Sequence, residues 1–177
     1  MSKKLFFLPA LLLGAFLMFS PACGDSDPCK DVDCGANGTC FEGECVCNEG
    51  FEGAACADTW SAKFVGTTYT GFDNVTESTA GTVLGKYTLS PSASIAANGN
   101  TGLKITNFGG FNSIVNATIT RANASDAVAS KITIDFTDSN GRKFVGSGTF
   151  SSNTLSGSYT VTFSDNTYDK ATFEYKK

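Results

Sequence analysis

Residues Cys29 to Cys56 read CKDVDCGANGTCFEGECVCNEGFEGAAC, and six of the seven cysteines of the 177-residue chain lie inside this stretch. Their spacing is Cys29-x4-Cys34-x5-Cys40-x4-Cys45-x-Cys47-x8-Cys56. An even set of closely spaced cysteines behind an export signal reads as a disulfide framework. Spacing alone does not choose among the pairings that six cysteines allow. Bridges are needed here, because the large apolar residues between the outer cysteines are only Val32, Phe41, Val46 and Phe51. A segment below about 40 residues with so little to bury does not fold unaided. A bridge closing a loop of this size contributes about 3 kcal/mol in the chain-entropy model. A zinc site would call for paired C-x-x-C ligands, and that spacing does not occur.

The run Cys45-Val46-Cys47-Asn48-Glu49-Gly50-Phe51-Glu52-Gly53-Ala54-Ala55-Cys56 resembles the closing signature of the EGF-like family, C-x-C-x-x-G-aromatic-x-G-x-x-C. Asp27-Pro28-Cys29 and Asn37-Gly38-Thr39-Cys40 fit the same family. The resemblance implies the bridges Cys29–Cys40, Cys34–Cys45 and Cys47–Cys56, with Gly50 and Gly53 at the positive φ angles of the last turn. Calcium is not expected. The calcium-binding subfamily carries Glu or Gln just before the first cysteine, where this chain has Pro28, and Phe41-Glu42-Gly43-Glu44 is too short for the second half of the motif.

The N-terminal segment 1–22 reads as a signal peptide, with Lys3 and Lys4 ahead of an apolar run from Leu5 to Phe19. That run is short for a membrane-spanning helix. Ser20-Pro21-Ala22-Cys23 resembles a bacterial lipobox, with Ser20 standing where Leu is usual. The resemblance implies lipidation of Cys23, a mature N-terminus there and attachment to a membrane through the lipid. Ser20-x-Ala22 also suits an ordinary signal peptidase, which gives a soluble secreted protein as the alternative. Cysteine arithmetic favours the anchor, since pairing six cysteines leaves Cys23 over. Residues 23–28 form an acidic tether, 29–56 the EGF-like domain and 57–177 a second domain.

From Cys23 to Cys56 eight acids face one base, Lys30, whereas from Ala57 onward nine acids face ten bases. No basic face for nucleic acid is present in this pattern, so no nucleic-acid partner is expected.

Beyond Ala57 there is no further cysteine, and the chain becomes rich in Thr, Ser, Asn, Gly and β-branched residues. Alternating runs predict strands near Ala62–Thr70, Thr82–Ser90, Gly102–Phe108, Ser113–Arg121, Ser130–Thr137, Arg142–Phe150, Thr154–Phe163 and Lys170–Lys176. Two hairpins have a legible register. A three-residue loop Ser139-Asn140-Gly141 pairs Phe136 with Phe144, Ile134 with Gly146 and Ile132 with Gly148, which keeps the apolar residues on one face. A tip at Ser152-Asn153 pairs Phe150 with Leu155, Gly148 with Gly157 and Gly146 with Tyr159. The last hairpin, near Asn166-Thr167-Tyr168, is ambiguous. Trp60 is expected to close one end of this core rather than to pack at the junction. The fold class is mostly β: a small disulfide-rich module, then an antiparallel barrel or barrel-like sandwich of about eight strands. Segments such as Leu103-Lys104-Ile105-Thr106-Asn107-Phe108 and Val145-Gly146-Ser147-Gly148-Thr149-Phe150 are similar to those of lipocalin-like β domains of exported bacterial proteins.

Catalytic signatures are missing. The chain has no histidine, which removes Ser-His-Asp and Cys-His chemistry and histidine metal ligation. Asp135 is expected to point outward, and Asp138, Asp165 and Asp169 are expected to be solvated residues of hairpin tips. Sequons at Asn37, Asn74, Asn116 and Asn123 follow from a composition rich in Asn, Ser and Thr. No catalytic residue, metal or cofactor is expected. The expected function is that of a cell-envelope, lipid-anchored binding or interaction protein, at the outer membrane or cell surface, with a protein or glycan partner for the EGF-like module. Gly148 facing Gly157 reads first as a sharp bend with a neighbouring aromatic filling the gap; read instead as a cavity near Gly146, Gly148, Gly157 and Tyr159, it gives the alternative function, a carrier of a small apolar ligand.

Overall fold

The computed structural model describes residues 27–123, 126 and 128–177. The signal segment, Cys23 and most of the acidic tether lie outside the described residues.

The EGF-like module is built on a hairpin of β1 (Gly38–Phe41) and β2 (Glu44–Cys47), entered by a 3-10 turn at Gly35–Asn37. Glu42 and Gly43 form its tight turn with φ of 50° and 87°, the left-handed pair that suits the twist of a two-residue hairpin. Three disulfides, Cys29–Cys40, Cys34–Cys45 and Cys47–Cys56, staple the module. Gly50 and Gly53 both sit at φ 89°. Strand β3 (Phe51–Glu52) pairs with β4 (Asp58–Thr59), so the module's last sheet extends past Cys56 into what the sequence assigns to the next domain.

The second domain is an antiparallel meander closed on itself. Its strands are β5 (Gly66–Ser78), β6 (Gly85–Thr88), β7 (Ala93–Ala97), β8 (Gly102–Thr106), β9 (Ile114–Arg121), β10 (Ala129–Thr137), β11 (Lys143–Ser151), β12 (Thr154–Thr162) and β13 (Tyr168–Lys176). Both β6 and β7 pair with β5, as two halves of one staggered strand interrupted around Pro91, which has no N–H for the ladder. Neighbouring strands pair in sequence order, and β13 returns to β5 from Asp169↔Ser78 to Lys176↔Thr70. The result is a closed eight-stranded barrel, in which the short β6, paired with β5 alone, keeps one free flank.

The β10–β11 and β11–β12 registers are those read from the sequence, down to Ile132↔Gly148, Phe136↔Phe144, Gly148↔Gly157 and Gly146↔Tyr159. Gly141 takes φ 76°, and Ser152 and Asn153 take 49° and 62°. The ambiguous hairpin resolves into the same three-residue form. Phe163 N–H donates to the Thr167 carbonyl at 2.8 Å, and Asn166 at φ 66° stands where Gly141 stands in the earlier hairpin.

Two expectations need correction. The first strand is not Ala62–Thr70. Residues 60–64 turn across the barrel mouth, held by Ala62 N–H to the Thr59 carbonyl at 3.1 Å and Phe64 N–H to the Ser61 carbonyl at 3.0 Å, and the strand runs instead over Gly66–Ser78. Strand β7 lies where no strand was expected, because Ala93-Ser94-Ile95-Ala96-Ala97 offers little β-branched bulk.

The meander gives the barrel two distinct ends. The start of β5 and the β7–β8, β9–β10 and β11–β12 connections lie at the end that meets the EGF-like module, the docked end. Residues 79–84, 107–113, 138–142 and 163–167 lie at the far end.

Candidate functional site

The facing pair Gly148 and Gly157 lines no recess, and Gly146 and Tyr159 border an open depression of about 280 Å³ whose lining includes Thr76, Val145, Ser158 and Lys170. A Cβ on Gly148 would come within 2.9 Å of the Phe173 ring and 2.9 Å of the Ser156 carbonyl oxygen. One on Gly157 would come within 2.1 Å of the Ser147 carbonyl oxygen, and one on Gly146 within 2.4 Å of the Ser158 carbonyl oxygen. The strands approach too closely for side chains there, and Phe173 fills the inward space. The barrel centre is an aromatic cluster. Phe108, fully buried, lies 4.7 Å from Tyr159 and 5.2 Å from Phe173 between ring centroids.

An open recess of about 310 Å³ lies instead at the far end. Its walls come from β5, β6, the 3-10 turn Phe108–Gly110, β12 and β13, and of the four residues expected at a cavity only Tyr159 borders it. Apolar and aromatic surface comes from Val75, Val161, Phe111 and Phe163, and polar groups from Tyr87, Thr88 and Ser90. Two carboxylates line it, Asp73 and Asp169, and among the described residues no Lys or Arg does.

Strand alternation explains both acids. Tyr69, Asp73 and Val75 occupy buried positions of the same phase on β5, and Asp169, Ala171, Phe173 and Tyr175 do so on β13. Asp73 pairs across the sheet with Phe173, and Asp169 with Ser78, with Ala171↔Val75 between. Asp73 therefore sits deeper and Asp169 nearer the mouth.

Asp73 is 3% exposed. The Tyr175 hydroxyl donates to its carboxylate at 2.9 Å and accepts from Gly109 N–H at 2.9 Å. Removal from water pushes the Asp73 carboxyl up to about 6, while hydrogen bonds from Tyr175 and Tyr159 pull it partly back. Burial, reinforced by the Asp73 charge, raises the phenols of Tyr159 and Tyr175. The loop that supplies Gly109 is fixed by Asn107, whose amide donates to the Pro91 carbonyl at 2.5 Å and whose Oδ1 accepts from Asn112 N–H at 2.9 Å.

Asp169 differs in its partners. Its Oδ2 accepts from the Thr82 hydroxyl at 2.7 Å, but its Oδ1 is buried with no hydrogen-bond partner among the described residues. Asp169 is thus a 5%-exposed wall residue, not the solvated turn residue expected. Asp138 also departs from expectation: it is 6% exposed and pairs with Arg142 at 2.7 Å. It accepts from the backbone of Asn140 and Arg142 at 2.9 Å each, and these donors with the Arg142 charge hold its carboxyl low against the opposing effect of burial. Asp165 and Asp135 are exposed, as read from the sequence. Asp73 escaped the sequence reading because the first strand was ended at Thr70, and Asp169 because the last was begun at Lys170. Carrying the alternation through those ends would have turned both inward.

At the docked end the two modules share a packed junction. Trp60 is 6% exposed within the barrel core, and its indole N–H donates to the Phe51 carbonyl at 2.9 Å. It therefore closes the core and also joins the modules. Glu52 reaches the barrel with both oxygens, one to Lys63 at 2.5 Å and one to Ala129 N–H at 3.0 Å. Phe64 packs against Phe150, with ring centroids 4.8 Å apart and planes tilted by 43°.

Among the described residues no group of three or more His, Cys, Asp and Glu side chains could hold a metal ion, and no helix is long and apolar enough to cross a membrane. Comparison with curated proteins and with solved structures gives no match. A family model described as Teneurin-like EGF domain matches residues 29–59, a span that takes in β4 at the junction. The chain thus joins a segment similar to a Teneurin-like EGF domain, over residues 29–59, to a closed eight-stranded antiparallel β-barrel.

Proposed function

We propose that this chain is an exported, non-enzymatic binding protein whose barrel carries a small ligand in the far-end recess. The observation that carries the reading is the recess itself, about 310 Å³ of open space beside a filled barrel centre. That volume is at the lower end of the range for small-molecule sites, and a concave apolar wall with a few converging polar groups is their usual make-up. The disulfide-stapled module is consistent with an extracellular or exported location. Native mass spectrometry of the full chain, purified gently from its own host, tests the carrier role. A removable mass retained on the protein supports it, and a bare protein in repeated preparations sinks it.

A second role, as a protein- or glycan-contact module, is favoured by one feature of the EGF-like hairpin. Phe41 and Val46 are 65% and 58% exposed on β1 and β2. Lipid anchorage through Cys23, in the cell envelope, completes the reading and is supported by the odd cysteine left once the other six are paired. Mass spectrometry of the mature N-terminus tests it, and a Cys23 without a diacylglycerol thioether rules it out.

A further inference from the structure

We infer that the far-end recess takes a small organic ammonium ion, with the carboxylate of Asp169, whose Oδ1 is buried without a partner among the described residues, as its principal acceptor and the rings of Phe111, Phe163 and Tyr87 as its walls. The inference rests on the carrier reading and names the chemical class of the cargo.

Three observations converge. Asp169 is 5% exposed and borders the recess, yet Oδ1 has no hydrogen-bond partner among the described residues. A buried acceptor left unpaired is costly, more so when it belongs to a carboxylate. A second carboxylate, Asp73, lies deeper in the same wall, while no Lys or Arg among the described residues lines it. The nearby guanidinium of Arg142, 4.9 Å from the Phe111 ring centroid, is occupied by Asp138 at 2.7 Å. The recess thus presents net negative charge in surroundings that screen it poorly. Finally, the wall is rich in π-faces. Phe111 and Phe163 lie 6.1 Å apart at 66° and Tyr87 lines the same recess, a set of rings suited to a cation with an apolar body. A metal ion of the calcium type asks for six to eight oxygens, and the recess is largely carbon.

Isothermal titration of the full chain at pH 8 with three cations tests this: benzylammonium, phenethylammonium and benzyltrimethylammonium. Each is compared with benzyl alcohol and 2-phenylethanol as neutral counterparts. At least one cation is expected to bind about tenfold or more tightly than the alcohols, with amide shifts in the NMR spectrum at Thr82, Phe163 and Asp169. Asp169→Asn should weaken the cation by about tenfold or more and leave the alcohols unchanged. If that variant does not fold, the wild type still decides: cation affinity must fall with rising salt while alcohol affinity does not. Alcohols binding as well as the cations would overturn the ammonium assignment and leave the carrier reading standing. Binding of neither class, as when only water fills the recess, would overturn both.

Discussion

At the docked end of the barrel, Trp60 and Phe64 fill the opening, Phe64 lies against Phe150, and the EGF-like module adds Glu52 and the Phe51 carbonyl as fixed contacts. At the far end a short 3-10 turn inserts Phe108 into the centre but leaves a recess beside it, and two acids face that recess instead of hydrocarbon. The sheet is the same at both ends. What differs is how each end treats buried polarity. At the docked end the Glu52 carboxylate and the Trp60 indole have their partners, while Arg121 Nε is buried without one among the described residues. At the far end Asp73 is held with a raised pKa and Asp169 keeps an unmatched oxygen. An unmatched carboxylate oxygen beside open space is what supports the proposed reading of the far end as the binding end.

The contrast can be broken by truncating one ring at each end. Phe64→Ala should cost about 3–5 kcal/mol, as expected for a fully buried aromatic. Phe163→Ala, at a partly buried recess wall, should cost about 1–2 kcal/mol, because solvent enters the space left behind. Urea denaturation of both variants measures the difference, and equal losses would mean that the far end is as solid as the other.

Asp73→Asn gives the next largest effect, with opposite sign. The native pKa of about 6 lies above the ordinary 3.8, so the native state holds a proton between these values where the unfolded chain does not. Wild-type stability from this group is therefore fullest below about pH 4, falls as pH rises through about 6 and stays lower at neutrality. Asn keeps the acceptor for Tyr175 and removes the charge. The variant should gain about 2 kcal/mol at pH 7 and show a flatter profile between pH 4 and 6. An unchanged profile would shift the burden of buried charge away from Asp73.

Gly148→Ala sharpens the picture of the middle. The added methyl would strike Phe173 and the Ser156 carbonyl, so a loss of about 1–3 kcal/mol in the same denaturation assay is expected. A hollow centre would accept the methyl without loss. The smallest effect belongs to the exposed ion pair of Lys143 and Asp135 on the barrel's outer face, 3.1 Å apart. Asp135→Ala should change stability by less than about 0.5 kcal/mol. It serves as the baseline for what surface charge contributes.

Sequence alone went furthest where local chemistry fixes geometry. The resemblance of the cysteine stretch to the EGF-like family implied the bridges that the structure contains. The Gly141 and Ser152-Asn153 turns carried two registers without error, because a slip by one residue would have put Phe144 and Phe150 opposite Thr137 and Lys131, on the wet face. Legibility failed where pairing is non-local. Gly71 interrupts the alternation of β5, and a Cβ there would lie 1.9 Å from the Glu174 carbonyl oxygen, a close approach dictated by β13 a hundred residues later. Ending the strand before Gly71 hid Asp73. The recess was out of reach for the same reason, since β5, β6, the Phe108 turn, β12 and β13 meet there only once the barrel has closed. For the facing glycines the sequence offered a neighbouring aromatic filling the gap or a small cavity, and Phe173, from a third strand, fills it.

Trp60 is the chain's single tryptophan, and it sits where the two modules meet, with its indole N–H on the Phe51 carbonyl and the Arg121 guanidinium 5.4 Å from its ring. Its fluorescence is therefore an unlabelled gauge of the seam. Peeling the EGF-like module away would wet the indole and shift emission to longer wavelength, while events confined to the opposite mouth would leave the spectrum still. One cuvette thus reports whether the two modules travel as a unit.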